Sequence, residues 1–393
     1  MSYVKIKGIW YKNNTLPVTF YGISKITTSE NYKPQNNVCT VDIIDPSPFY
    51  SNGTFLPKEG DKIVIYGKIV TDNISTDFTS DDVLWTGKFI DYAYKLSFNK
   101  KVLQLRIGDW TYDVFNRFFA KSFIGLGMRT NEIIEYILKT ITMNREGLGT
   151  TYLDFTNVAS TRPDGSPFPI IEPVFINKPV IEWIQELSTP KWTADVSDDP
   201  PVMVYDMIFK IKDNAVYWYY PTSAVIKVID SNYLFDEIIE KSSNEGSVNR
   251  LILECGEDFN GEPIYTYIYN ISAEADIIKE KYLLIQKIGG INKSYDNAYH
   301  LLRQQYDINT NTEFRQKVRE LAEKYADYWF KHFGQSKLTI KMSIPYQGLQ
   351  LGDIVTINLP NFTNTTFKVI NVSNTFTEKK WSQTLELEEL IGE

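Results

Sequence analysis

Cysteine and histidine are almost absent from this 393-residue sequence, which has two of each. Cys39 and Cys255 are too few for a disulfide scaffold or a Cys-x-x-Cys metal site. Each is predicted to be a small buried apolar residue, with one disulfide between them as the alternative. A serine or cysteine nucleophile that works with histidine would need His300 or His332, and both are predicted to be surface or interface residues.

Long apolar runs and an excess of positive charge are also missing. No stretch reaches the roughly 18 apolar residues that a membrane-spanning helix needs. Met1–Trp10 lacks the apolar core of a secretory signal, so synthesis in a reducing cytoplasm is expected. Lysine and arginine number 41 against 49 aspartates and glutamates, a net charge of −8. Because phosphate contacts need a cationic face, this balance argues against a general nucleic-acid binder.

Motifs that could carry chemistry are few. Gly125-Leu126-Gly127 lacks the third glycine of a dinucleotide motif and the Lys-Ser/Thr of a P-loop, so a turn at a helix start is predicted. Glycoside hydrolysis needs only two carboxylates, and that interpretation stays open. The candidate carboxylates are Asp195, Asp198, Asp199, Glu254, Glu257 and Asp258. No catalytic, cofactor-binding or metal-ligating residue is assigned.

Aromatic residues are abundant, at 14% of the chain, and favour strands and large interfaces. Val216–Tyr220 is the densest aromatic run and could stack on a sugar. A strand that packs one face on the core and the other on a neighbouring element is favoured instead.

Residues 1–115 are predicted to form short strands separated by turns. The clearest strands are 38–44, 62–66, 83–90 and 102–107, where apolar residues alternate with polar ones between Gly and Pro breaks. This spacing is typical of an antiparallel barrel or sandwich.

The segment 116–243 mixes helices and strands. Thr130 is predicted to cap one helix, and Val180–Leu187 forms a second helix directly after a proline. Asp213-Asn214 is predicted to be a tight turn between two strands. The middle of the chain is therefore expected to be α+β.

Strands resume from residue 244, are interrupted by a helical stretch, and return after residue 336. The clearest helix runs from Glu313 to Phe333 and carries an apolar stripe, predicted to be intrachain core, with an inter-subunit seam as the alternative. The stripe consists of Phe314, Val318, Leu321, Tyr325 and Trp329.

The two strand-rich ends resemble each other. Both have a Gly-Asp turn, a strand, a long gap, another strand, a lysine pair and a final strand. The matched segments are 56–65 with 349–357, 85–90 with 367–372, and 100–105 with 379–387. The recurring order predicts an old structural duplication, with hairpin punctuation common to any antiparallel sheet as the alternative.

The C-terminal part resembles the closing barrel of phage tail hub proteins, the gpD-like and gp27-like baseplate hubs. In those proteins a long helix precedes a strand, a Leu-x-x-Gly-Asp-x-Val motif, a strand pair and a final Thr-x-Leu-x-Leu. The corresponding segments here are 314–329, 338–340, 349–355, 367–372 and 384–387. Segments 133–138, 178–187 and 249–253 are similar to the two middle helices and to the strand that opens the second barrel of such hubs.

This resemblance implies a β-dominated α+β fold with two tail-tube-like antiparallel β-barrels, an α+β middle domain and a helical insertion. The implied N-terminal barrel is 1–115 and the implied middle domain is 116–243. The second barrel would combine 244–275 with 336–393, and the insertion would be 276–335.

The resemblance also implies a function, which is that of a non-catalytic baseplate hub in the virion of a phage or in a contractile injection system. Such a homotrimer presents six barrels, adapts the six-fold tail tube to the three-fold spike, and contacts the surrounding baseplate or wedge proteins. DNA would pass through its channel during genome ejection without specific binding, as net negative charge favours. No cofactor and no membrane insertion are expected. The alternatives are a tail-tip protein of a non-contractile tail and a carbohydrate-binding or glycan-cleaving protein.

Overall fold

The fold is described from a computed structural model. The residues that the structure describes are 3–12, 15–31, 37–44, 56–70, 77–97, 100–109, 123–124, 128–143, 153–162, 165, 167–168, 170–171, 174–175, 179–188, 207–212, 215–221, 224–233, 239–243, 250–269, 282–287, 307–332, 337–360 and 362–390.

The N-terminal part consists of antiparallel strands in which buried and exposed residues alternate, as the period of a strand requires. The strands are β1 (Tyr3–Lys12), β2 (Leu16–Phe20), β3 (Ile23–Asn31), β4 (Val38–Ile44), β5 (Lys62–Val70), β6 (Val83–Ser97) and β7 (Lys100–Gly108). They lie in the order β3-β4-β7-β6-β5-β1-β2. The four strands predicted from this part of the sequence are all present.

The middle part is α+β, as predicted. Its elements are β8 (Phe123–Ile124), β9 (Met128–Arg129), α1 (Thr130–Met143), β10 (Asp154–Val158), β11 (Ile170–Ile171), β12 (Val174–Phe175), α2 (Val180–Ser188), β13 (Ile208–Lys212) and β14 (Ala215–Tyr219). The sheet β10-β14-β13 packs on both helices, and Trp183 and Trp218 are buried between them.

The C-terminal part returns to the large sheet. Its elements are β15 (Val225–Asp230), β16 (Ile239–Ser243), β17 (Arg250–Glu257), β18 (Pro263–Tyr269), β19 (Tyr282–Lys287), α3 (Asn311–His332), β20 (Lys337–Pro345), β21 (Ile354–Leu359), β22 (Phe362–Thr377) and β23 (Trp381–Glu389). The order β16-β20-β23-β22 continues directly into β3, and β21 pairs with β22 and, in parallel, with β15. The result is one 13-stranded sheet in a strand-dominated α+β fold.

Strand pairing differs at two places from the division implied by the resemblance. β15 and β16 fall in the segment 116–243 but pair with β21 and β20 of the large sheet. β17 and β18 fall in the segment 244–275 but form a separate three-stranded sheet with β19. Alternating apolar residues identify a strand without specifying its partner, so the sequence pattern could not separate these cases.

The helix α3 packs against the sheet β18-β17-β19 through the beginning of its apolar stripe. Phe314 and Val318 are buried, and the Phe314 ring lies 5.1 Å from that of Phe259. These two residues are intrachain core, as predicted, and the side chains of the other three stripe residues lie outside the described set. Within the described residues, no helix is long and apolar enough to cross a membrane.

One buried carboxylate fastens this helix to the turn between β17 and β18. Asp258 accepts hydrogen bonds from Arg315 Nε at 2.7 Å and Asn311 Nδ2 at 2.8 Å. It also accepts the backbone N–H groups of Asn260 and Glu262. Burial opposes ionisation of Asp258, but these hydrogen bonds outweigh it and hold its pKa well below the usual range.

Replacing this carboxylate should release the start of α3 from the sheet. Because Asp258→Asn places amide hydrogens against the donors of Arg315 and Asn311, we expect hydrogen exchange in the first turns of α3 to rise by about tenfold or more. The pKa of Asp258 is lower in the folded chain than in the unfolded chain, so its ionised form stabilises the fold at any pH above the unfolded-state pKa. In the wild type, this stabilisation should be lost as the pH falls through the acid range. Glu262→Gln, at a largely exposed side chain, is the control and should change exchange little. Equal exchange in both variants would contradict the prediction.

Candidate functional site

The described residues contain no obvious reaction centre, and the feature that stands out is a duplication within the large sheet. In the N-terminal turn, the Gly60 N–H donates to Phe89 O at 3.0 Å, and the Phe89 N–H donates to Asp61 O at 2.9 Å. The Asp61 carboxylate accepts the Lys58 N–H at 2.9 Å. Gly60 has φ +89°, a conformation that glycine adopts without strain.

The C-terminal turn repeats this geometry. The Gly352 N–H donates to Val369 O and the Val369 N–H donates to Asp353 O, both at 2.9 Å. The Asp353 carboxylate accepts the Gln350 N–H at 2.7 Å, and φ of Gly352 is +82°. The Gly-Asp repeat seen in the sequence is therefore a repeat in three dimensions.

The duplication extends to the strands that follow each turn. In β6–β7, Phe89 lies opposite Ile107 and the register then shifts by one residue. In β22–β23, Val369 lies opposite Leu387 and the same shift follows. Next to the Gly-Asp turns, the pairing of β5 with β6 corresponds to that of β21 with β22. On the other side, the pairing of β4 with β7 corresponds to that of β20 with β23. The pairing of β3 with β4 likewise corresponds to that of β16 with β20. We call β3 to β7 the first unit, and β16 with β20 to β23 the second unit.

The two units are joined edge to edge by β22 and β3. The antiparallel register runs from Asn371 opposite Asn31 to Thr377 opposite Lys25. Phe376 crosses this junction, because it belongs to β22 of the second unit but is buried in the core of the first unit. The junction is thus a packed interface within the chain.

Amide side chains fix the register of this junction. Asn371 Nδ2 donates to Asn31 Oδ1 at 2.7 Å, and Asn374 Nδ2 donates to Thr28 Oγ1 at 3.2 Å. The fully buried Gln383 donates to Asn374 Oδ1 and to Leu349 O, so no slip of β22 keeps all these hydrogen bonds.

A polar cleft of about 130 Å³ lies beside the junction and reaches the middle part of the chain. Burial raises the pKa of Glu30 on β3, and the nearby Lys210 and Lys212 on β13 oppose that rise. Burial likewise lowers the pKa of Lys210, whose Nζ donates to Gln350 Oε1 at 2.6 Å. These groups connect the middle sheet to both units. The sequence analysis missed them because residues so far apart in the chain show no shared pattern.

Of the candidates for glycoside hydrolysis, Asp258 does not suit the role of general acid. Asp258 is held ionised by its hydrogen bonds, whereas a general acid needs a raised pKa. Glu257 is half-buried at the end of β17, and the side chain of Glu254 lies outside the described set. Asp195, Asp198 and Asp199 also lie outside the described residues.

The aromatic run on β14 is packed as predicted, which leaves the sugar-stacking alternative without support. Val216 and Trp218 are buried in the middle core, and Trp218 Nε1 donates to Ser188 Oγ at 3.0 Å. The Tyr219 hydroxyl donates to Leu351 O at 3.3 Å, on the neighbouring second unit.

The cysteines, the histidines and the Gly-Leu-Gly motif are the other residues considered for chemistry. Cys39 and Cys255 are both buried, as predicted, and are not joined in a disulfide. His300 and Gly125–Gly127 lie outside the described residues, as does the side chain of His332 at the end of α3. Among the described residues, no group of three or more potential metal ligands occurs.

Three solved structures share this architecture over nearly the whole chain. A tail protein from Neisseria meningitidis MC58 aligns with a TM-score of 0.58 and 9% sequence identity, covering 99% of this chain and 96% of that one. The chain has a phage tail hub-like fold. This finding confirms the resemblance drawn from the sequence motifs.

Two further structures with this architecture come from prophages. The 43 kDa tail protein of prophage MuSo2 from Shewanella oneidensis has a TM-score of 0.55 at 9% identity, with 98% and 97% of the two chains covered. Prophage tail protein gp18 from Listeria monocytogenes EGD-e has a TM-score of 0.54 at 11% identity, with 97% and 94% covered. No family model and no curated protein matches this chain in sequence. The likeness therefore lies in the fold alone.

Proposed function

We propose that the chain is a structural, non-catalytic baseplate hub of a phage tail or a related contractile injection system. As a homotrimer it presents six related units, which adapt a six-fold tail tube to a three-fold spike. It lies in the tail of the virion, where the tube protein, the spike protein and the surrounding baseplate proteins are its partners.

The observation that carries this proposal is the matching strand register of the two units around the Gly-Asp turns and along β6–β7 and β22–β23. A three-fold ring can meet a six-fold ring only by presenting two near-equivalent surfaces per chain. The matching hydrogen bonds of the two Gly-Asp turns and the matching bulges in β6–β7 and β22–β23 support two such related units in each chain. We further propose that each unit forms a tube-like barrel in the assembled ring.

The proposed ring would enclose a central channel through which DNA or effectors pass. The net charge of −8 disfavours binding of phosphates, so nucleic acid would pass without adhering. The non-catalytic role is supported by the Asp258 contacts and by the tail proteins that share the fold.

The solution mass tests the proposed function. We expect light scattering of the purified chain to give three times the 45.5 kDa of one copy, and that of the chain with the spike partner to give this mass plus the mass of the bound spike. Electron microscopy of the trimer should show a ring with a central opening and six similar densities. A stable monomer in the presence of the spike would refute the hub, and a closed centre would refute the conduit.

A further inference from the structure

Each strand of the junction inside the chain has an equivalent elsewhere in the sheet for which the described residues supply no partner. β22 pairs with β21 and, over residues 371–377, with β3 on the same side of the strand. The equivalent residues of β6 are Asp91–Ser97, which we call the β6 edge. Among the described residues, no strand pairs with this edge on the side opposite β7.

The complementary edge is β16. In the first unit, β3 pairs with β4 on one side and β22 on the other. In the second unit, β16 pairs with β20, and no described strand covers its other side. A single chain thus has one strand of each kind available. β16 lies at one end of the sheet, whereas the β6 edge is the later part of an interior strand whose earlier residues pair with β5.

Burial indicates that the β6 edge is built to be covered. Val372 and Phe376 of β22 are each 2% exposed. Val372 packs in the core of the second unit, and Phe376 extends across the junction into the core of the first unit. Their equivalents on β6 are Tyr92 and Leu96, which are 50% and 69% exposed. Large apolar side chains at positions that are buried in the other unit mark a surface that lacks its partner.

We propose that the β6 edge of one copy pairs antiparallel with β16 of a second copy and repeats the register of the β22–β3 junction. Copying that register places Asp91 opposite Ser243 and Lys95 opposite Ile239, as Asn371 lies opposite Asn31 and Thr375 opposite Thr27. Ile239 is 45% exposed in the single chain and would be covered by this pairing.

The pairing is head to tail, so each copy uses a different edge toward each neighbour. Such heterologous contacts close into rings when the rotation between copies allows it. The inference rests on the proposed function for the number of copies, which is three. It adds the surface, the strand direction and the register.

Disulfide trapping tests this register. Directly opposed residues on antiparallel strands lie about 4.5–5.5 Å apart between Cα atoms, within disulfide range, whereas residues displaced by two lie about 7–8 Å apart. We expect a chain carrying Lys95→Cys and Ile239→Cys to form mostly covalent oligomers on oxidation. Ala93→Cys with Ile239→Cys, the slipped pair, should cross-link at least tenfold less. Thr27→Cys with Thr375→Cys is the internal standard and should form a disulfide within one chain.

The outcomes separate this inference from the proposed function. Suppose that the standard forms its disulfide and light scattering gives a trimer, but the variant with Lys95→Cys and Ile239→Cys does not cross-link. The proposed pairing of the β6 edge with β16 is then refuted, whereas the proposed hub function is not. A wild-type monomer would overturn both. Should the cysteine variant not fold, Leu96→Arg gives an independent test, because it should shift the oligomer to folded monomers. An unchanged oligomer in Leu96→Arg would contradict the inference.

Discussion

Replacing Phe376 by alanine is expected to loosen both units at once and to lower the free energy of unfolding by about 3–5 kcal/mol. The side chain extends from β22 into the core of the first unit, where it packs edge-on to Trp381 at 4.9 Å and to Tyr346 at 5.2 Å. Removing the ring leaves a cavity at a place where a side chain of the second unit completes the core of the first. Hydrogen exchange should therefore rise in β3 and β4 as well as in β22.

A matched control lies on the same strand. Phe367 is also fully buried, but it belongs to the core of the second unit alone. Phe367→Ala should destabilise to a similar extent while leaving exchange in β3 and β4 close to that of the wild type. If the two variants give the same exchange pattern, Phe376 does not couple the units.

Gly352→Ala is expected to destabilise the chain by about 2–4 kcal/mol, against about 1–2 kcal/mol for Gly60→Ala. The two glycines have nearly the same positive φ, so the backbone strain of alanine is common to both. They differ in their surroundings. A Cβ on Gly352 would lie 2.0 Å from Ile208 Cδ1 and 3.1 Å from Pro221 Cβ, whereas nothing lies within 4 Å of one on Gly60.

Chemical denaturation of a double-mutant cycle with Ile208→Val measures the steric part of this difference. Because valine lacks the Cδ1 atom, the cost of Gly352→Ala should fall by about 1–2 kcal/mol in that background. The cost of Gly60→Ala should be unchanged there. Equal costs for the two glycine substitutions in the wild-type background would show that the contact with Ile208 is not a constraint.

The strands, the two middle helices and the duplication could be predicted from the sequence because each depends on a local pattern. The Gly-Asp turns are visible because their conformation requires glycine. The alignment of the downstream strands, however, was two residues out of register. The sequence comparison places Phe89 with Asn371, whereas the hydrogen bonds place it with Val369. A slip of two residues preserves the alternation of buried and exposed side chains, so apolar patterning cannot detect it.

The junction and the cleft could not be predicted for a different reason. Their partners lie far apart in the chain, as do Asn31 and Asn371, and amides on a strand resemble ordinary exposed polar residues. The length of β22 is the one feature that points to a second partner for this strand. Its 16 residues exceed what pairing with β21 alone requires, and the surplus is the part that meets β3.

The pairing of β3 with β22 also has a consequence for synthesis. The paired asparagines are separated by 340 residues, which a ribosome takes about 20–70 s to add. During that interval the edge of β3 that pairs with β22 in the finished fold has no such partner. Thr27–Asn31 is a run of polar residues, a composition that discourages nascent chains from pairing with one another. The two units can therefore be joined only after β22 has been synthesised, which is long after synthesis of the strands of the first unit.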